Sequence, residues 1–172
     1  MRYIFLLVTS ILVLGVSCKK TAENTLEVDT QKTKDNIITE KDVSKIKYIE
    51  YALDTKTEKA IQDWAEYKQL QDVIINIKKA DLSFFNDNKT ETALLIKEFK
   101  NNIPTTVNAS SITARILVLE TKYRELESLS NLASTSKKEL LNAIKSFFVS
   151  FSNLNLQMNK KIEFDTRSIQ KP

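Results

Sequence analysis

The segment Ser136–Glu163 reads SKKELLNAIKSFFVSFSNLNLQMNKKIE, and its rhythm decides the fold class. Leu140, Ile144, Phe147, Phe151, Leu154 and Met158 recur at alternating steps of four and three. Side chains so spaced stack on one face of an α-helix. The opening Ser136-Lys137-Lys138-Glu139 has the form of a capping box, in which serine takes a free N–H of the first turn and glutamate reaches back to the cap. Phe148 and Leu141 widen the stripe; we read burial on two sides, with an exposed partner patch as the alternative. Asn153, Asn155, Gln157 and Asn159 alternate with Leu154, Leu156 and Met158. Alone, that alternation would suggest a strand. Continuous with the upstream stripe, it reads as a polar-faced helix end, with Leu156 turned away from the stripe towards solvent.

Working back along the chain, Ile112, Ile116, Leu119, Tyr123 and Leu126 predict a helix over about Ser111–Leu132. The short Ala133–Thr135 link makes the last two helices an αα-hairpin, and heptad-like stripes favour packing near 20° off antiparallel, a value typical of such bundles at roughly that angle. Leu95, Ile96, Phe99 and Ile103 mark a helix over Lys89–Asn102, with Asn88 and Glu91 as a capping pair and Pro104 as its end. Ile61, Trp64, Tyr67, Leu70, Ile74 and Ile77 mark a helix over Thr57–Lys78, capped by Thr55 with Glu58. Asp81–Asp87 reads as a loop folding Leu82, Phe84 and Phe85 back over the bundle end. Val43–Leu53 fits a short helix (Val43, Ile46, Ile49, Leu53) or an alternating strand (Lys45-Ile46-Lys47-Tyr48), and we take the helix. The expectation is an all-α, small up-and-down bundle of about four main helices over residues 43–165, with residues 166–172 as a tail.

Composition agrees. The only glycine is Gly15, and the prolines are Pro104 and Pro172. Tight hairpins and phosphate-cradling loops need glycine, so Rossmann and P-loop chemistry is excluded. There is no histidine and the single cysteine is Cys18. That removes His/Cys zinc sites, cysteine nucleophiles, Ser-His-Asp triads and the Glu-x-x-His ligands of di-iron bundles. No metal, cofactor or enzymatic activity is expected. Past residue 17 the chain has 25 basic against 22 acidic groups, a weak and well-mixed balance that argues against nucleic acid as partner.

Met1-Arg2-Tyr3 is a short basic start, and Ile4–Val16 is an apolar run broken only by Thr9 and Ser10. That is the anatomy of a secretory signal over residues 1–17, shorter than a bilayer span. Leu14-Gly15-Val16-Ser17-Cys18 resembles a bacterial lipobox, with its leucine one position early. The resemblance implies cleavage before Cys18, a thioether-linked diacylglycerol on its sulfur and acylation of its amine. The alternative is an ordinary secretory signal with an incidental cysteine. Lys19-Lys20 resembles lipoproteins of the Bacteroidetes; it departs from the Asp that retains many lipoproteins at an inner membrane, and the acidic cluster linked to surface export is nearly absent. The expectation is an outer-membrane lipoprotein facing the periplasm, surface display remaining open. Residues 18–42 are polar and read as a tether, whose reach as a flexible coil is roughly 25–30 Å; a strand or helix docked on the bundle is the alternative.

Several residues carry groups capable of chemistry. Trp64 and Tyr67 could line a ligand cleft, with Arg115 holding a carboxylate at its edge; at helical spacing the aromatics more often form core, and an arginine stem more often snorkels over apolar surface. Asp63, Glu66, Asp72, Glu120, Glu125 and Glu127 sit among Lys and Arg and read as ordinary helix-surface charges. Asn88-Lys89-Thr90 and Asn108-Ala109-Ser110 match a glycosylation sequon and read as caps or loops.

From Trp64 onward, the run Trp64–Tyr67, Pro104, Ile112–Thr121 and Asn153–Lys161 resembles small helical lipoproteins of flavobacteria, over most of the chain beyond the tether. The resemblance implies a helical envelope protein and no assigned activity. The function expected is a membrane-anchored, non-enzymatic interaction or assembly module with an envelope protein partner. The alternative is a binding module for a small apolar or anionic ligand between helices.

Overall fold

The stripe Ile144–Met158 forms the spine of the molecule. In a computed structural model, residues 37–87 and 89–167 are described. The expected leader, Cys18 and most of the tether lie outside the described residues, as do Asn88 and residues 168–172. The helices are α1 (Glu40–Ser44), α2 (Thr55–Ala60), α3 (Ala65–Lys78), α4 (Ser83–Asp87), α5 (Lys89–Asn101), α6 (Ser110–Ser130) and α7 (Lys137–Thr166). Among the described residues there is no strand, and the fold is an all-α bundle. No described helix is long and apolar enough to cross a membrane.

Helices α6 and α7 form the hairpin and share the most extensive pairing in the fold. From α6, Ile112, Ile116, Leu119, Tyr123 and Leu126 are buried; from α7, Ile144, Phe147, Phe148, Phe151, Leu154 and Met158 are. Full burial of such a side chain stabilises by ~1.5–3 kcal/mol. Phe148 lies inside, as burial on two sides requires, whereas Leu156 is half-buried rather than exposed. Ser136 caps α7 as the capping box predicts: its Oγ accepts from the Glu139 N–H at 3.3 Å, and Glu139 Oε2 accepts from the Ser136 N–H at 2.8 Å.

Three sequence expectations about the helices change. The helix expected over Thr57–Lys78 is two helices. Its cap is Asp54, whose carboxylate accepts from the Thr57 N–H at 2.7 Å, and not Thr55. The chain leaves helical geometry at Ile61 and re-enters after Trp64, while the hydroxyl of Thr106, in the α5–α6 connection, donates to the Ala60 carbonyl at 2.9 Å. The break preserves the phase of the stripe, so Ile61, Trp64 and Tyr67 stay on one side and periodicity does not register it. Second, Asp81–Asp87 is not all loop. Asp81 Oδ1 accepts from the Ser83 N–H at 2.9 Å and starts the short α4, which buries Phe85 completely.

Third, the short helix expected within Val43–Leu53 is displaced. Helix α1 begins earlier, at a Thr39–Asp42 capping box, and residues 46–54 run without regular secondary structure. Residues Thr39–Asp42, expected to belong to the tether, therefore cap and begin a helix. Ala80 closes α3 with φ 62°. Its N–H donates to the Ile77 carbonyl at 2.9 Å and the Asp81 N–H to the Asn76 carbonyl at 3.0 Å. That is the paired closure of a Schellman motif, with alanine at the left-handed position glycine usually takes.

Candidate functional site

The residues singled out from the sequence do not assemble into one cleft. Trp64 is 1% exposed and stacks on Phe99, with ring centroids 4.4 Å apart. Tyr67 lies beside it at 5.8 Å and stacks on Phe151 at 5.4 Å. Both rings are core. Arg115 lies on the exposed side of α6 and pairs with no carboxylate among the described residues. The structure thus joins Trp64 to Tyr67 and leaves Arg115 apart.

The acidic residues mostly have local partners. Glu120 meets Lys100 at 2.6 Å, Glu125 meets Lys122 at 2.8 Å, and Glu127 meets Arg124 at 3.1 Å. Glu66 accepts from the Asn102 side chain at 2.7 Å, and Asp63 and Asp72 face solvent. Among the described residues there is no cluster of three potential metal ligands.

The arrangement sequence reasoning missed lies on α7. Ser152, Asn155 and Asn159 stand at i, i+3 and i+7, one stripe of the helix. They hold the backbone of segment 49–54, which has no regular secondary structure. Ser152 Oγ accepts from the Tyr51 N–H at 2.7 Å and donates to the Ile49 carbonyl at 2.8 Å. Asn155 Nδ2 donates to the Tyr51 carbonyl at 3.0 Å. Asn159 Nδ2 donates to the Ala52 carbonyl at 2.8 Å, and its Oδ1 accepts from the Asp54 N–H at 3.0 Å. Segment and helix run in the same direction, and side chains on α7 satisfy backbone groups a neighbouring strand would otherwise satisfy.

The clasp is preorganised. Asn155 is 5% exposed and Ser152 2% exposed. The Tyr67 hydroxyl donates to Asn155 Oδ1 at 2.9 Å, which turns the amide nitrogen towards Tyr51. Burial holds the Tyr67 phenol well above its ordinary pKa, so it stays a donor at any physiological pH. At the segment's other edge, Lys78 of α3 meets Glu50 at 2.6 Å and keeps its carboxyl below the usual range. A cavity of about 10 Å³ sits between segment and helix, bounded by Tyr48, Tyr51, Phe148, Phe151, Ser152 and Asn155. That is room for roughly one water and no larger ligand.

No side chain from Ser44 to Lys56 is fully buried. The segment is held by these bonds and by partial burial of Ile46, Tyr48 and Leu53. Each such bond contributes about 1 kcal/mol net, while fixing a residue's backbone costs ~1–2 kcal/mol, so the segment is held with little margin. The arrangement binds main-chain groups of the chain's own segment. The signal that could have found it is the placing of Ser152 and Asn155 next to Phe151 and Leu154, on a helix side that is otherwise apolar.

No protein-family model matches this chain, and comparison with curated proteins and with solved structures returns no significant match. The functional reading therefore rests on the residues and their geometry.

Proposed function

We propose that this chain is a lipid-anchored, non-enzymatic interaction module of the bacterial envelope, of the kind found in small flavobacterial lipoproteins. The observation that carries the reading is the apolar run Ile4–Val16 ending at the lone cysteine, Cys18. Lipidation there would hold the bundle at a membrane, most simply the outer membrane with the bundle in the periplasm, through the polar stretch that follows. Two or three acyl chains give stable anchoring because each buried methylene contributes about 0.8 kcal/mol.

The folded part supports an interaction role. Asp42, Glu50, Glu120, Glu125, Glu127, Glu163 and Asp165 pair with neighbouring bases, and most of the described aromatic side chains, Phe164 apart, lie in or against the core. The exposed face of α6 brings Ala114, Leu117, Val118 and Thr121 together, with Leu117 50% and Val118 47% exposed. Adjacent apolar residues so exposed suit a protein partner. The small-ligand reading beside Trp64 finds no comparable support, because its indole is already stacked and buried.

Crosslinking with mass spectrometry in native membranes tests the interaction role. Wild type should yield a reproducible envelope partner, and Leu117→Glu with Val118→Glu should remove it while the helical circular dichroism persists. Replacing Cys18 with Ala should shift the protein out of the membrane fraction or leave it unprocessed. Crosslinks unchanged by the α6 substitutions, with membrane association unchanged by Cys18→Ala, would overturn the proposal.

A further inference from the structure

We propose that residues 46–54 are a detachable strap, and that the α7 edge beneath them is a binding site for polypeptide backbone, occupied at rest by the chain's own segment. The inference goes beyond the anchor and stands whether or not Cys18 is lipidated. Three observations carry it. Recognition is directed at backbone: the bonds that Ser152, Asn155 and Asn159 make to the segment end on its main-chain N–H or carbonyl groups. Such a site reads conformation before sequence, as peptide addition to a sheet edge does. One part of the site is set by an element other than the strap: Tyr67 of α3 stacks on Phe151 and orients the Asn155 amide through its hydroxyl. The strap itself is weakly rooted, with Ile49 70% exposed and no fully buried side chain along its length. Segments with few buried apolar contacts open locally, below the free energy of global unfolding.

The occupant that fits is therefore a polypeptide segment able to present N–H and carbonyl groups at the spacing of Ile49, Tyr51, Ala52 and Asp54. Lifting the strap would uncover the α7 edge and free the segment that joins α1 to α2. This couples occupancy of the edge to the position of α1, which Val43 and the Asp42–Lys137 pair dock on the bundle.

Hydrogen exchange on the full chain, followed by peptide titration, tests this. The Tyr51 and Asp54 amides should exchange at least about 10-fold faster than amides inside α6 and α7, the mark of local opening. Tyr51→Pro removes the N–H that Ser152 accepts without altering α7. A fluorescent peptide with the strap sequence IKYIEYALD should then bind the variant at least about 10-fold more tightly than wild type, because the competing strap is lifted. Ser152→Ala on that background should abolish capture. If Tyr51→Pro fails to fold, Lys78→Ala, which releases Glu50, serves the same purpose. Strap amides that exchange only with the α6–α7 core, or an opened and folded chain that does not bind the peptide, would overturn the proposal.

Discussion

Two single positions show how local chemistry is set in this chain. Asn155 joins two groups: its nitrogen serves the Tyr51 carbonyl and its oxygen the buried Tyr67 hydroxyl. Asn155→Ala leaves a buried phenol and a carbonyl unsatisfied, and we expect a loss of about 2–3 kcal/mol in urea unfolding. A loss under about 0.5 kcal/mol, the range of an ordinary surface change, would mean the clasp does not order this side chain. Ala80 shows the consequence of a chain in which no glycine follows Gly15. Its φ of 62° strains a side chain bearing a Cβ. Ala80→Gly should raise stability by about 0.5–1 kcal/mol, the relief of that strain less the added freedom of the unfolded chain, readable as a higher melting temperature.

Among the helices, those whose burial is apolar were legible and those fixed by polar contacts were not. The stripes of α5, α6 and α7 fall where four-three spacing puts them, because burying one face of a long helix needs a regular pattern. Helix α1 has one buried residue, Val43, and is set by the Thr39–Asp42 box and an ion pair from Asp42 to Lys137 at 2.7 Å. Segment 46–54 is held by side chains about a hundred positions away in sequence, and no local spacing reports that. The candidate site was legible only in part: Trp64 and Tyr67 do lie together, but Ser152, Asn155 and Asn159 hid within a helix end read as solvent-facing. The α1 contact is also pH-sensitive. Hydrogen bonds from Lys137, then Thr39, lower the Asp42 carboxyl from 3.8 to about 2. Because the folded value lies below the unfolded one, the stabilising contribution is complete above pH 3.8 and is lost as pH falls towards 2. Exchange of the α1 amides should rise over that window in wild type, and Asp42→Asn should flatten the response. A profile identical in the two proteins would contradict the docking role of the pair.

Over the described residues, the fold is a helical hairpin with smaller elements laid against it. Phe147 touches this organisation at its centre, with Tyr123 at 6.0 Å and Phe148 at 6.5 Å, and it is fully buried. Phe147→Ala should cost about 3–5 kcal/mol in denaturant unfolding, whereas Leu117→Ser, on the open face of α6, should change stability by under about 0.5 kcal/mol. That contrast separates residues that hold the bundle from residues offered to a partner. The charge balance is nearly even, so attachment to a membrane would fall to covalent lipid rather than to basic patches. Mass spectrometry of the amino-terminal peptide from the native membrane fraction decides this. The account predicts a chain beginning at Cys18 that carries the mass of a diacylglycerol thioether, with or without an amine-linked acyl group. An unmodified cysteine, or a mature chain beginning elsewhere, would contradict it.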